Sequence, residues 1–395
     1  MNPSDENSEI EFGYLSINHK GEELCGDHVQ VVEGSDGDLT LVLADGLGSG
    51  VEASILSTLT STMLSKMIEG GMSIDEGVEA LAKTLPCARD RGNVAYSTFT
   101  VLKIEKDFTA TLYNFDNPDP VFLRNGKIEE PRYEISEIGG KTIKKAKLYF
   151  DLNDSLSMFS DWAMYAGVGE SLNFGWGRDE IATYLSALSC PELSAKNLAT
   201  LLVDHCSLLY NKRPGDDTTC LSVRRRTRNK VNLLVGPPAN KEDDEAMLES
   251  FFALPGKHIV CGGTTCKLAS NYLGSSVRGD LESLDPDIPP YSEIDGVDLA
   301  TEGVITLNKV VTLAKDYQKD NLAYFTWSYR KDGASLLAEA LFQEATDITF
   351  FVGCAVNSAH QEEHGQITFK MKMQVIDNLA AELKKMGKRV SISYF

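Results

Sequence analysis

Residues 39–44, "LTLVLA", are apolar except for one threonine, and residues 29–33, "VQVVE", are valine-rich. The turn "GSDGD" between them has the residues a hairpin needs, so the pair predicts two antiparallel strands. After Asp45 the period changes. Leu56, Leu59, Met63 and Met67 recur at helical spacing, predicting a helix over 51–69 that packs this stripe into the core and stops at Gly70. Ser73 and Glu76 fit a capping box and open a second helix. Strand patterns return at 96–104, 109–115 and 120–124; in the first, Tyr96, Thr98 and Thr100 alternate with Ser97, Phe99 and Val101. "NGK" then makes a turn. A strand at 155–160, helices near 178–188 and 194–210, and a strand at 218–225 complete this half. Strand runs interrupted by helix pairs indicate an α+β fold.

From residue 231 the pattern becomes a strand–helix alternation. Strands are predicted at 231–236, 258–263 and 347–353 and in the closing "RVSISYF". Helices are predicted at 241–253, 264–272, 303–317, 334–345 and about 366–386. Such alternation implies a separate α/β domain with a mostly parallel sheet. The expected domains are 1–226 and 230–395, in keeping with a length of 395 residues. Arg224, Arg225, Arg226 and Arg228 fall at the junction and read as a solvated linker.

The net charge is −20, and both halves are acidic: 22 Lys+Arg against 35 Asp+Glu up to residue 229, and 16 against 23 beyond it. A broad nucleic-acid footprint needs the opposite sign. The eight cysteines form no CxxC pair, so no zinc knuckle or thioredoxin motif is written here. The opening "MNPSDENSEIEFGY" is polar and acidic, and no apolar run approaches the ~20 residues that span a bilayer. The expectation is a cytoplasmic protein with reduced thiols, without nucleic-acid or membrane partners.

Four acids share one kind of position. Asp27 in "CGDHVQVV" lies just before a strand, Asp45 just after one, and Asp161 in "SMFSDW" also just after one. Asp216 in "GDDTTCLSV" just precedes one, with Asp217 beside it. If neighbouring strands run antiparallel, a strand's end and the next one's start share a sheet edge, where all four acids can converge. Clustered carboxylates oppose each other's ionisation. Hard divalent cations, Mg²⁺ or Mn²⁺, relieve that and prefer oxygen ligands. The glycines after Asp45 allow a sharp turn in which the Gly46 carbonyl can approach an ion.

"CGD", "LADGLGSG", "FSD" and "GDDTT", in this order, resemble the metal-dependent protein serine/threonine phosphatases of the protein phosphatase 2C type. The similarity spans roughly 10–226 and is greatest to the branch of the bacterial sporulation stage II protein E and related regulators of anti-sigma-factor antagonists. It implies an α-β-β-α sandwich holding two divalent metal ions, Mn²⁺ or Mg²⁺. By position, Asp45 would bridge both ions, Gly46 would offer its carbonyl, Asp161 and Asp216 would complete one shell, and Asp27 would serve the other; Asp217 is a further metal candidate, at a position where the family varies. The implied reaction is direct hydrolysis of phosphoserine or phosphothreonine by in-line attack of a metal-bridging hydroxide. The implied partner is a phosphoprotein such as an anti-sigma-factor antagonist. Trp162 stands where the family's third motif carries glycine, and Leu47 where animal members carry a histidine. A catalytically weak adaptor and a small-molecule sensor centred on the second domain stay open as alternatives.

In the second domain, "HIVCGGTTCKLAS" reads as strand, glycine turn and helix. Gly262, Gly263, Thr264 and Thr265 are candidates for holding a small anionic ligand, with simple helix capping as the alternative. "HQEEH" at 360–364 matches an inverted zinc-protease pattern but lacks the helical setting, and reads as a solvated loop.

Overall fold

The computed structural model describes residues 7–34, 37–84, 97–138, 141–279, 291–319, 326–355 and 362–395. It divides into two compact units, Met1–Thr227 and Arg228–Phe395.

In the first unit the strands are β1 (Ser8–Ile17), β2 (Asp27–Glu33), β3 (Leu39–Gly46), β4 (Ser97–Ile104), β5 (Thr109–Phe115), β6 (Val121–Arg124), β7 (Lys127–Glu129), β8 (Glu134–Ile138), β9 (Lys141–Tyr149), β10 (Ser155–Phe159) and β11 (Thr218–Thr227). The helices are α1 (Gly50–Glu69), α2 (Ile74–Thr84), α3 (Arg178–Leu188) and α4 (Ala195–Leu209). One sheet has the order β2-β3-β4-β5-β9-β8, the other β1-β11-β10-β6-β7. All their pairings are antiparallel.

Side-chain alternation builds the layers. In β3, Leu39, Leu41 and Leu43 meet Phe122, Leu156, Met158, Leu221 and Val223 of the other sheet. Val42 and Ala44 face outward onto Leu64 and Ile68 of α1 and Val78 and Leu81 of α2. On the far side, Leu15, Val121, Phe159 and Cys220 pack against α3 and α4. The result is the α-β-β-α sandwich.

Several expectations need correction. The buried face of α1 is Ala53, Ser57, Thr60, Ser61, Leu64 and Ile68. Leu59 is 39% exposed, and Leu56, Met63 and Met67 are only half-buried. The helix rests close against its sheet on small and hydroxyl-bearing residues, leaving longer apolar side chains outside. The arginine run is no solvated linker. Arg224, Arg225 and Arg226 are buried on β11. Arg225 stacks on Phe108 at 3.6 Å and donates to the Phe150 carbonyl, while Arg226 pairs with Glu11. That pairing follows from β1, an edge strand that the polar opening of the chain concealed. Strands β8 and β9 were also unforeseen; lysines and threonines dilute their apolar signal. The Ser73–Glu76 capping box forms as expected. Ser35, Asp36 and Tyr96 lie outside the described residues.

The second unit contains β12 (Lys230–Val235), α5 (Asp244–Phe252), β13 (Lys257–Cys261), α6 (Gly263–Leu273), β14 (Arg278–Gly279), β15 (Ser292–Ile294), β16 (Val297–Thr301), α7 (Val304–Lys319), α8 (Gly333–Ala338), β17 (Asp347–Val352), α9 (Glu362–Lys385) and β18 (Arg389–Tyr394). Strands β16-β13-β12-β17-β18 run parallel, and β14 and β15 add an antiparallel edge. Helices α7, α8 and α9 cover one face; α5 and α6 cover the other. The sequence pattern missed the β14–β16 edge, where the strands are short. Of "HQEEH", His360 and Gln361 lie outside the described residues, and residues 362–364 open α9 instead of forming the expected loop.

Candidate active site

The β2–β3 ladder sets Asp27 directly opposite Asp45. Asp45 keeps the parity of Leu39, Leu41 and Leu43, so it is the next position at the rim of the space between the sheets. On the facing sheet β10 ends at Phe159, immediately before Ser160 and Asp161, and β11 begins just after Asp216 and Asp217. The acids therefore converge from two facing sheets and not along one sheet edge.

Hydrogen bonds tie the two halves together. Ser160 Oγ donates to Asp27 Oδ2 at 2.8 Å and accepts the Thr219 N–H at 2.9 Å. Asp217 accepts the His19 N–H on Oδ1 and the Gly26 N–H on Oδ2, both at 2.9 Å. Both of its oxygens thus hold the 18–26 loop, which sets Asp217 apart from the other acids. Asp216 Oδ1 accepts the Asp217 N–H. Neither the hydroxyl bridge of Ser160 nor the amide clamp on the loop was evident in the sequence. Ser160 lies within "FSD" and Gly26 within "CGD", but neither motif shows which distant group its residue will bond.

The electrostatics report crowding. Burial, and then repulsion from Asp27, Asp161, Asp216 and Asp217, pushes the Asp45 carboxyl up to about 9. Burial likewise lifts Asp27 to about 7, against hydrogen bonds from Thr219 and Ser160. Asp161 is raised by burial and then by Asp216; Asp216 is raised chiefly by burial. Asp27 Oδ1 and Asp161 Oδ1 are buried and have no hydrogen-bond partner among the described residues. Buried carboxylate oxygens without donors, in a group whose members resist ionisation, fit a divalent cation. Among the described residues no three acidic, histidine or cysteine side chains enclose a single ion by themselves.

Gly46 can be nothing larger. A Cβ there would stand 2.1 Å from the Ala53 carbonyl oxygen, so the first turns of α1 press directly on the end of β3. Its N–H donates to the Gly26 carbonyl, joining both loops at the rim. Gly48 and Gly50 hold φ of 89° and 74° in the turn into α1, which glycine adopts without strain. His28 points away from the acids: its Nδ1 is 2.7 Å from Ser61 Oγ on α1. Trp162 lays its ring edge against Gly215 and packs on the core beneath α4, and its carbonyl accepts the Tyr210 hydroxyl.

Gly262, Gly263, Thr264 and Thr265 lie in the second unit, where they line a cavity of about 660 Å³.

Residues 35–226 match the family model of stage II sporulation protein E (SpoIIE). No curated protein matches the chain. Similar solved structures include the phosphatase domain of the cell fate determinant SpoIIE from Bacillus subtilis, at 17% identity and a TM-score of 0.43, covering 56% of this chain and 94% of that one. The RsbU and RsbW domains of Rv1364c from Mycobacterium tuberculosis are 19% identical, with a TM-score of 0.45, over 62% of this chain and 70% of that one. RsbX in complex with magnesium is 16% identical, with a TM-score of 0.40, over 55% of this chain and 95% of that one.

Proposed function

We propose that this chain, whose residues 35–226 match the family model of stage II sporulation protein E, hydrolyses phosphoserine or phosphothreonine on a partner protein with the help of divalent cations. The observation that carries the reading is the meeting of Asp27 and Asp45 from one sheet with Asp161 and Asp216 from the other, so crowded that Asp45 holds its proton up to about 9.

Asp45, Asp161 and Asp216, with the Gly46 carbonyl, would hold two Mn²⁺ or Mg²⁺ ions, and Asp27 would complete the set. When bound, the ions supply positive charge to the phosphoryl oxygens and activate a water for in-line attack. The chain's own residues prepare that site. Ser160 fixes the Asp27 carboxylate by donating to Oδ2, and among the described residues Oδ1 has no donor of its own. Asp217 holds the His19 and Gly26 amides and so closes the 18–26 loop beside the acids. We assign Asp217 to this positioning and not to an ion. Gly46 lets α1 press against the end of β3, which fixes the turn that follows Asp45.

The seat of Trp162 against Gly215 supports catalysis over a purely adaptor role, because the ring spends its surface on the core. A phosphoprotein of the anti-sigma-factor-antagonist kind is the partner we favour, in a bacterial signalling circuit. The test is turnover of p-nitrophenyl phosphate and of phosphoserine peptides by the full chain. Turnover should require Mn²⁺ or Mg²⁺, vanish with EDTA and be lost in Asp45→Asn. Metal-independent turnover, or full activity in Asp45→Asn, would overturn the reading.

A further inference from the structure

The parallel strands of the second unit run outward from β12 to β13 and β16, then return across β12 to β17 and β18. The connections therefore leave β12 in one direction and approach β17 from the other. In open α/β sheets the crevice outside the carboxyl ends of the strands at such a reversal is where ligands bind. The cavity of about 660 Å³ lies there, lined by Gly236 and Pro237 after β12, Gly262 after β13, Gly303 after β16 and Ala355 beyond β17. Its size falls within the range of small-molecule sites.

Its chemistry runs against that of the chain. In a protein of net charge −20, the lining carries Lys241, Lys267 and Lys372 against one acid, Asp244. Lys372 reaches in from α9 and is only 9% exposed. Its ammonium donates to the Gly353 carbonyl at 2.6 Å, and among the described residues it has no carboxylate partner. The ammonium also lies 5.3 Å from the centre of the Phe369 ring, and with one neutral acceptor and no counter-charge it retains donors for an anion beside that ring. Burial lowers its pKa, the direction expected for a cation lacking a counter-charge. From the opposite face, α6 starts at Gly263 without a side-chain cap, so its first amides are open to an acceptor. Thr265, 1% exposed, accepts the Gly236 N–H on Oγ1, which leaves its own hydroxyl proton to give. Phe369, Leu268 and Val304 add an apolar wall.

We propose that this cavity binds a nucleotide, its phosphate held between the start of α6 and the Lys372 ammonium and its base against the Phe369–Leu268 wall. Inorganic phosphate alone would leave most of the volume and the apolar wall unused.

The test is calorimetric titration of the full chain in EDTA, which removes the metal-dependent site from the experiment. The probes are AMP, ADP, GDP and UDP, with adenosine and inorganic phosphate as fragments. At least one nucleotide should bind at one site per chain, more tightly than either fragment. Lys372→Met should weaken it about tenfold or more, the effect of losing one charge-assisted contact. Gly263→Asp should do the same by setting a negative charge at the helix start. A Cβ there meets nothing within 4 Å, so this variant keeps its fold if Lys372→Met does not, as circular dichroism will show. Absence of binding by all four nucleotides, phosphate binding as tight as nucleotide binding, or nucleotide binding unchanged in Gly263→Asp would overturn the proposal. None of these results bears on phosphatase turnover.

Discussion

Asp27 and Asp45 are direct partners across the β2–β3 ladder, so two carboxylates face one another at the rim of an apolar inter-sheet core. The same alternation that buries Leu41 and Leu43 delivers Asp45 to that rim. The fold thus obtains its charged site by continuing the register of its core by one step.

This pair makes stability depend on pH with a definite sign. The folded values of Asp45, about 9, and Asp27, about 7, lie above the ordinary 3.8. The folded state therefore holds protons that the unfolded chain has released. The stability they represent is fully present below 3.8 and is lost as pH rises through about 7 and then about 9. Metal-free protein should show a falling melting temperature across this window. Mn²⁺ should reverse the fall, since a ligand of the folded state stabilises it. Asp45→Asn should flatten the pH trend, lose the Mn²⁺ response and lower turnover by about 10³-fold or more. Thermal melts against pH, with and without the ion, check all three.

Ser160→Ala removes the hydroxyl that bonds both Asp27 and the Thr219 N–H. The expected loss is about 1–3 kcal/mol, because a buried carboxylate and an amide each lose a partner. Affinity for Mn²⁺ should drop about 10–100-fold, as when a group orienting a ligand is removed. Denaturant unfolding and metal titration separate the two effects.

Gly46→Ala and Gly48→Ala should differ sharply. At Gly46 the new Cβ would overlap the Ala53 carbonyl, and α1 would have to move away from β3. Turnover should be lost together with stability. At Gly48 the Cβ enters open space, and only the φ of 89° opposes it, a penalty of about 1–2 kcal/mol. Turnover should survive there. Parallel melts and assays of the two variants give the comparison.

Trp162→Gly restores the residue of the resembling motif but strips the packing on Gly215 and the core beneath α4. A half-buried indole lost in this way should cost about 1–3 kcal/mol, less than a fully buried one. The rate should not rise, because the ring packs on Gly215 and the core beneath α4. A rate increase would show that Trp162 obstructs the site.

Thr60 is fully buried on α1, and its hydroxyl has no partner among the described residues. Thr60→Val keeps the shape and removes the unmet polar group, so it should stabilise the unit by about 1 kcal/mol. Chemical denaturation is the measure.

Local pattern carried much of this. The β2–β3 hairpin, the capping box at Ser73 and Glu76, and helices such as Arg178–Leu188 were all legible, because each depends on residues within one or two turns of each other. The four acids were legible as well, since each adjoins an apolar run that reads as a strand. The α1 stripe was misread because Leu56 and Leu59 look like core residues by hydropathy. Close helix–sheet contact selected the smaller Ala53, Ser57 and Ser61 instead. The arginine run was misread because its partners, Glu11 and the Phe150 carbonyl, are distant in the chain.

By itself, then, the sequence determined where strands end and which ends carry carboxylates, since hydropathic period and turn chemistry act over a few residues. Tertiary structure alone decided that those ends face each other from two sheets, that Ser160 and Asp217 lock them there, and that Lys372 and the start of α6 line one cavity at a second sheet. Each of those facts is a contact between segments far apart in sequence. Such contacts form because burying separate apolar faces brings distant polar groups together, and no local pattern records which ones will meet.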